Sequence, residues 1–136
     1  MAATTLTQQQ KVDFSAEKAK AKQWAIDRLA DPNTVILDCE TTGILREDPH
    51  TEIVQLSIIN TAGRPILTMM LKPAQPMDAR VMDIHKITNE MVVDKPFFLQ
   101  VAKIVAKYLE GKHLRSEDTS ELQSHSDLVC RLLLEK

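Results

Sequence analysis

Apolar and polar positions along this 136-residue chain fall into a few clear periods. Between Ser15 and Ala30 the apolar residues Ala21, Trp24, Ala25, Ile26 and Leu29 recur at roughly helical spacing, and Asp31-Pro32-Asn33 ends the run. Residues 1–14 are rich in Thr and Gln and read as disordered. Thr34 to Cys39 is an apolar run of strand length. Glu52 to Asn60 has β-branched residues at positions 53, 54, 58 and 59, which predicts a strand with both faces at least partly covered. Thr61-Ala62-Gly63-Arg64 is a turn, and Pro65 to Leu71 returns as a third strand, forming an antiparallel hairpin beside the first.

The second half begins with short helical pieces. Asp78 can cap a helix through Ile84, and Thr88 can cap a turn through Val92. Pro96 to Glu110 is the clearest helix. Pro lies in its first turn, Phe97, Val101, Ile104, Val105, Tyr108 and Leu109 repeat at helical spacing, and Gly111 stands where a C-terminal cap belongs. Those apolar positions are core. Arg115 to Asp127 is polar with no strand pattern, and Leu128 to Leu134 is a short apolar segment. The pattern predicts a disordered segment over 1–14, a partial domain over 15–114 and an atypical tail over 115–136.

Composition changes this picture little. A hydrophobic content of 43% and a charged content of 26% are ordinary for a globular chain. Seventeen Lys and Arg against 19 Asp and Glu give a net charge of −2, so any nucleic-acid contact has to be local. Lys18, Lys20, Lys22 and Arg28 make the first helix partly basic, a pattern that reads as a solvated face. Cys39 and Cys130 form neither a disulfide framework nor a familiar metal-binding spacing, and Cys39 reads as a small buried hydrophobe. No apolar run approaches the length of a membrane span, and no signal-peptide core is present, so no membrane partner and a cytoplasmic location are expected.

The candidate chemistry lies in Val35-Ile36-Leu37-Asp38-Cys39-Glu40-Thr41-Thr42-Gly43. Residues i and i+2 of a strand point to one side, so Asp38 and Glu40 project together from a strand end. Two such carboxylates repel each other unless a cation lies between them, and oxygen ligands suit Mg²⁺ or Mn²⁺. Two solvated acids at a strand end are the simpler alternative, and the pair alone does not choose between them.

Four landmarks occur in order: Asp38-Cys39-Glu40-Thr41-Thr42-Gly43, Glu52-Ile53-Val54-Gln55-Leu56, Ile84-His85-Lys86-Ile87-Thr88-Asn89-Glu90-Met91, and Pro96-Phe97. Together they resemble the front portion of the DEDD-superfamily 3′-5′ exonucleases, of the proofreading-subunit type found in bacterial DNA polymerases. The resemblance covers about Thr34 to Leu114. It implies an α/β, ribonuclease H-like fold, here incomplete, with a three-stranded antiparallel sheet start and flanking helices. It also implies metal-dependent hydrolysis at the 3′ end of a single-stranded nucleic acid, a role in DNA replication or repair, and a DNA polymerase as a partner. By the same resemblance Asp38 and Glu40 are catalytic metal ligands in a two-ion site. Thr41 and Thr42 contact the terminal nucleotide, Gly43 permits the close turn, Ile44 wedges against the terminal bases, and His85 lines the pocket. Without the motif, His85 would read as an ordinary loop histidine, and Thr41 and Thr42 as turn residues.

The family's two later motifs have no counterpart at the expected places. Asp118, His125 and Asp127 have suitable side chains without the required strand context or spacing, and none is assigned a role. Two carboxylates set −2 against the +4 of two divalent ions, and lacking a general base costs about 10²–10⁴-fold in rate. The expectation is a truncated or frame-disrupted member with weak or no intrinsic activity. The alternatives are a non-catalytic module that binds nucleic acid or a polymerase, and a non-functional remnant.

Overall fold

The computed structural model describes residues 7–44 and 47–116. Expectations for residues 1–6 and for 117–136, including Asp118, His125, Asp127 and the apolar segment 128–134, lie outside the described residues. The chain divides into two compact units, Met1–Pro32 and Asn33–Lys136.

The first unit contains one helix, α1 (Gln8–Ala30). It begins well before Ser15, so residues 8–14 are helical where the composition predicts disorder. Gln8 to Phe14 contains neither Gly nor Pro, and Gln and Lys are good helix formers, so nothing local stops the helix from extending. Lys20 pairs with Glu17 at 3.2 Å on its surface, a contact that adds little in water. At its end Arg28 lies 3.6 Å from Asp31.

The second unit is built on a mixed sheet. Its strands are β1 (Thr34–Thr41), β2 (Ile53–Asn60), β3 (Pro65–Met70) and β4 (His113–Ser116). The order across the sheet is β3-β2-β1-β4. β1 runs antiparallel to β2 and parallel to β4, and β2 runs antiparallel to β3. The predicted hairpin is present, but among the described residues the sheet has four strands where the pattern predicts three. β4 escaped the pattern because Leu114 alone gives it an apolar position. Its place is set by backbone pairing to β1, with Thr34 opposite His113 and Leu37 opposite Ser116.

Alternation along β1 explains how this sheet is held. Val35, Leu37 and Cys39 are buried, while Asp38 between them is exposed. The buried set joins Leu56, Ile58 and Leu71 in a core covered by Phe98, Val101, Ala102 and Val105 of α4 (Phe98–Leu109). Burying each such aliphatic side chain contributes about 1.5–3 kcal/mol. In β2 the ladder slips near its start: Glu40 faces Gln55, and Thr41 then faces Ile53. This irregularity leaves Ile53 in the first core, while Val54 packs with Met77, Ile87 and Val92 in a second, smaller one.

The second core underlies α2 (Ala79–His85) and α3 (Asn89–Val92). Asp78 caps α2 as expected, its carboxylate accepting from the Val81 N–H at 3.0 Å. The Asn89 side chain accepts from the Met77 N–H at 2.8 Å and donates to the Met77 carbonyl at 3.0 Å. That two-point clamp fixes the segment leading into α2. Pro96 falls outside α4, because Phe97 is the extended cap residue, with the Gln100 side chain accepting from its N–H at 2.8 Å. The Pro96 carbonyl instead accepts from the Lys72 N–H at 2.9 Å. Gly111, at φ 68°, ends the helix as expected. Among the described residues no helix is long and apolar enough to cross a membrane.

Lys86 follows α2 with φ 62° and ψ 13°, the left-handed region in which a Cβ is costly. Replacing Lys86 with Gly is expected to raise stability by about 0.5–1 kcal/mol. A thermal melt followed by circular dichroism measures this, and an unchanged or lower midpoint contradicts the strain.

Candidate active site

The C-terminal half of β1, the turn after it and α2 surround a cleft of about 510 Å³. β1 contributes Asp38 and Glu40, which lie on the same side of the strand, Asp38 exposed and Glu40 half-buried. Ile44, exposed at the rim, and His85 also line this cleft, as do Thr41, Thr42 and Gly43. The fold therefore brings together all seven candidate residues read from the sequence.

The turn is built by local hydrogen bonds. The Thr41 hydroxyl donates to the Gly43 carbonyl at 2.7 Å. Thr42 donates its N–H to the Glu52 carbonyl at 2.9 Å, and its hydroxyl accepts from the Glu52 N–H at 3.0 Å. This pair continues the β1–β2 connection past the end of the ladder and fixes where the chain leaves the sheet. Positive φ values among the described glycines occur at Gly63 and Gly111, so Gly43 is not left-handed. A Cβ built on it would meet the Thr51 hydroxyl at 3.5 Å, an ordinary contact. The turn therefore does not itself demand glycine at position 43.

His85 has one nitrogen committed. Its Nδ1 accepts from the Ile87 N–H at 3.0 Å, which assigns the ring proton to Nε2 in the neutral imidazole. Nε2 is buried and has no hydrogen-bond partner among the described residues. His85 thus holds an unspent donor where it lines the cleft. It is poorly arranged to act as a base, because Nδ1 is already engaged.

Cys39 alternates with the two acids and points into the core. Burial pushes its thiol from the ordinary 9.0 up to about 12, and the charges of Asp38 and Glu40 add to the effect.

Several cleft residues escaped the sequence reading: Glu47, Asp48, Asp78, Arg80 and Val81. For Arg80 and Val81 a signal was available. Positions 80, 81, 84 and 85 share one helical face, so His85 predicts its neighbours once the segment is taken as a helix.

Residues 35–136 match the exonuclease family RNase_T. The chain belongs to this family. The family match continues to Lys136, beyond the region that carries the motif resemblance. Over 87 residues, 59% of this chain and 34% of the relative, it is 32% identical to the DNA polymerase III subunit epsilon of Pasteurella multocida. Over another 87 residues, 64% of this chain and 41% of the relative, it is 37% identical to the uncharacterized exonuclease CP81 of Escherichia phage 186. The chain therefore spans about a third to two fifths of the length of these curated relatives. The nuclease domain of 3′hExo, a DEDDh family member seen bound to rAMP, shares the fold at a TM-score of 0.52 and 19% identity, covering 73% of this chain and 58% of that one. The DEDD-superfamily resemblance and the ribonuclease H-like fold read from the motifs are both upheld.

Carboxylate oxygens on one strand face are suitable donors for a hard divalent cation. Among the described residues no group of three or more His, Cys, Asp or Glu side chains converges to hold a metal ion. Among the described residues, Asp38 and Glu40 are the strand-borne carboxylates in the cleft that could offer oxygens to a divalent cation.

Two measurements probe this geometry. Iodoacetamide at pH 8, read by peptide mass spectrometry, is expected to leave Cys39 unmodified in the native protein and to label it on unfolding; prompt native labelling would contradict its burial. Because its thiol is raised in the folded state, this group's contribution is intact below pH 9.0 and declines as pH climbs toward about 12. Gly43→Ala is expected to change stability by less than about 1 kcal/mol in a chemical melt; a larger loss would show that the turn needs glycine.

Proposed function

We propose that this chain carries a metal-dependent 3′-5′ exonuclease site in which Asp38 and Glu40 hold one divalent ion, Mg²⁺ or Mn²⁺, against a phosphodiester at a nucleic-acid 3′ end. The observation that supports it most directly is the projection of both carboxylates from one side of β1 into a cleft also lined by Thr41, Thr42, Gly43, Ile44 and His85. Solvated acids at a strand end account for Asp38 and Glu40 alone. They do not account for an imidazole donor and an exposed isoleucine lining the same cleft.

A divalent ion bound by Asp38 and Glu40 neutralises charge on the scissile phosphate and lowers the pKa of water. The protein's own contribution is positional. Thr41 and Thr42 shape the turn that flanks the terminal nucleotide, and Gly43 leaves the backbone open to it. Ile44 offers an apolar surface for the terminal base. His85 donates from Nε2, which orients an oxygen acceptor and leaves proton removal to another group. With Asp38 and Glu40 as the ion's protein ligands and His85 unsuited to act as base, turnover by these residues alone is weak.

The relatives named DNA polymerase III subunit epsilon support a role in replication beside a polymerase; repair and a cytoplasmic location are part of the same reading. The sparse donor set favours a second reading, a module that grips a 3′ end without cutting it.

The test is release of mononucleotides from a 3′-labelled single strand by the purified 136-residue chain. Slow, Mn²⁺- or Mg²⁺-dependent release that falls at least about 100-fold in Asp38→Ala is expected. Metal-dependent binding with no release in the wild type supports the second reading. Release that persists in both Asp38→Ala and Glu40→Ala would falsify the assignment of the site.

A further inference from the structure

We infer that Arg80 is the backbone-phosphate contact of the strand lying in the cleft, a binding residue that sets affinity and salt dependence without touching the reacting atoms. The inference rests on the reading of this cleft as a nucleic-acid 3′-end site.

The cleft is strongly acidic. Asp38, Glu40, Glu47, Asp48 and Asp78 all line it, and His85 is neutral in the assigned tautomer. A polyanion cannot enter such a place without positive charge to meet it. A divalent ion at Asp38 and Glu40 offsets part of the repulsion at the scissile phosphate. Bound at the scissile phosphate, it leaves the next phosphate along without a direct contact of its own.

Among the described residues Arg80 is the one Lys or Arg that lines this cleft. It is exposed, and it makes no ion pair among the described residues even though Asp78 is two positions away. The reason lies in the fold: the Asp78 carboxylate is engaged as the cap of α2, accepting from the Val81 N–H at 3.0 Å. The guanidinium is therefore left for a ligand. Its planar fork of donors matches a phosphate's oxygens, and guanidinium is less strongly hydrated than an ammonium, so it is lost from water at lower cost.

Its neighbours on the helix suit the same ligand. Arg80, Val81, Ile84 and His85 form one face of α2 toward the cleft. Ile84 is 76% exposed, an apolar surface that bases would cover. The face thus alternates what a nucleotide strand alternates: a charge contact, an apolar contact and a hydrogen-bond donor. The low net charge of the chain makes Arg80 matter more, since no general basic field supplements it.

The experiment is a salt titration of binding. Fluorescence anisotropy of a 5′-labelled oligothymidylate is followed with the full chain in Ca²⁺, which replaces the catalytic ion. Arg80→Ala is expected to weaken binding about tenfold at low salt and to flatten the slope of log K against log salt by about 0.7, the value for one phosphate contact on a single strand. Arg80→Lys keeps the slope and recovers part of the affinity. Arg64→Ala, which removes the same charge from the β2–β3 turn, leaves both unchanged. Arg80→Gln, closer in shape to the original, repeats the Ala result, because both remove the charge while Gln keeps most of the side chain. A wild-type slope retained in both Arg80→Ala and Arg80→Gln overturns the inference while leaving the 3′-end reading intact, and so does an equal loss in Arg64→Ala. A wild-type chain that binds no single strand at low salt removes the 3′-end reading and the inference with it.

Discussion

Everything in the second unit depends on the two-sidedness of one central strand. β1 has its odd-numbered positions 35, 37 and 39 sealed against α4 and the neighbouring strands, while Asp38 and Glu40 face the other way. A slip of one residue would bury two carboxylates and expose three core side chains, at a cost far beyond the stability of a small domain. The acids are therefore held in place by hydrophobic burial on the opposite face, and their own interactions contribute little. Cys39 shows the same constraint from within: its thiol is held neutral by the burial that keeps its neighbours outside.

The rest of the cleft is assembled around that strand by backbone chemistry. Thr42 prolongs the β1–β2 connection through Glu52, and the irregularity at Glu40 and Thr41 divides Ile53 and Val54 between two cores. The second core, with the Asn89 clamp on Met77, carries α2 to the edge of the cleft. One helical face then delivers Arg80, Ile84 and His85 together. Parallel pairing sets the end of β4 beside Leu37, next to the acidic end of β1. The cleft's side chains thus come from elements whose positions are decided by apolar contacts elsewhere, which is the ordinary way of making a site precise.

Much of this was legible along the chain. The hairpin of β2 and β3, the cap at Asp78, the helix near Val101 and Val105 and the stop at Gly111 all follow from local periodicity and turn chemistry. The seven candidate residues were picked out through ordered motifs, and the fold gathers them along one cleft. Other features left no local trace. β4 is short, polar and paired with a strand some eighty positions away, so its existence depends on a non-local ladder. The start of α1 was missed because Thr and Gln composition speaks for disorder while the absence of Gly and Pro permits helix. The start of α4 was placed two residues early, at Pro96 instead of Phe98, because a proline marks the neighbourhood of a helix start more sharply than its exact position.

The sequence by itself determined which face of β1 carries the acids, because side-chain alternation is a property of any strand. It also determined the family, because the motifs are contiguous and ordered. Only the tertiary structure decided that His85 has one nitrogen spent and the other unpartnered, that Gly43 is not needed for its turn, and that Arg80 belongs to the cleft. Those facts depend on which groups meet across the fold. Such meetings are set by packing between segments far apart in the chain, and local pattern cannot express them.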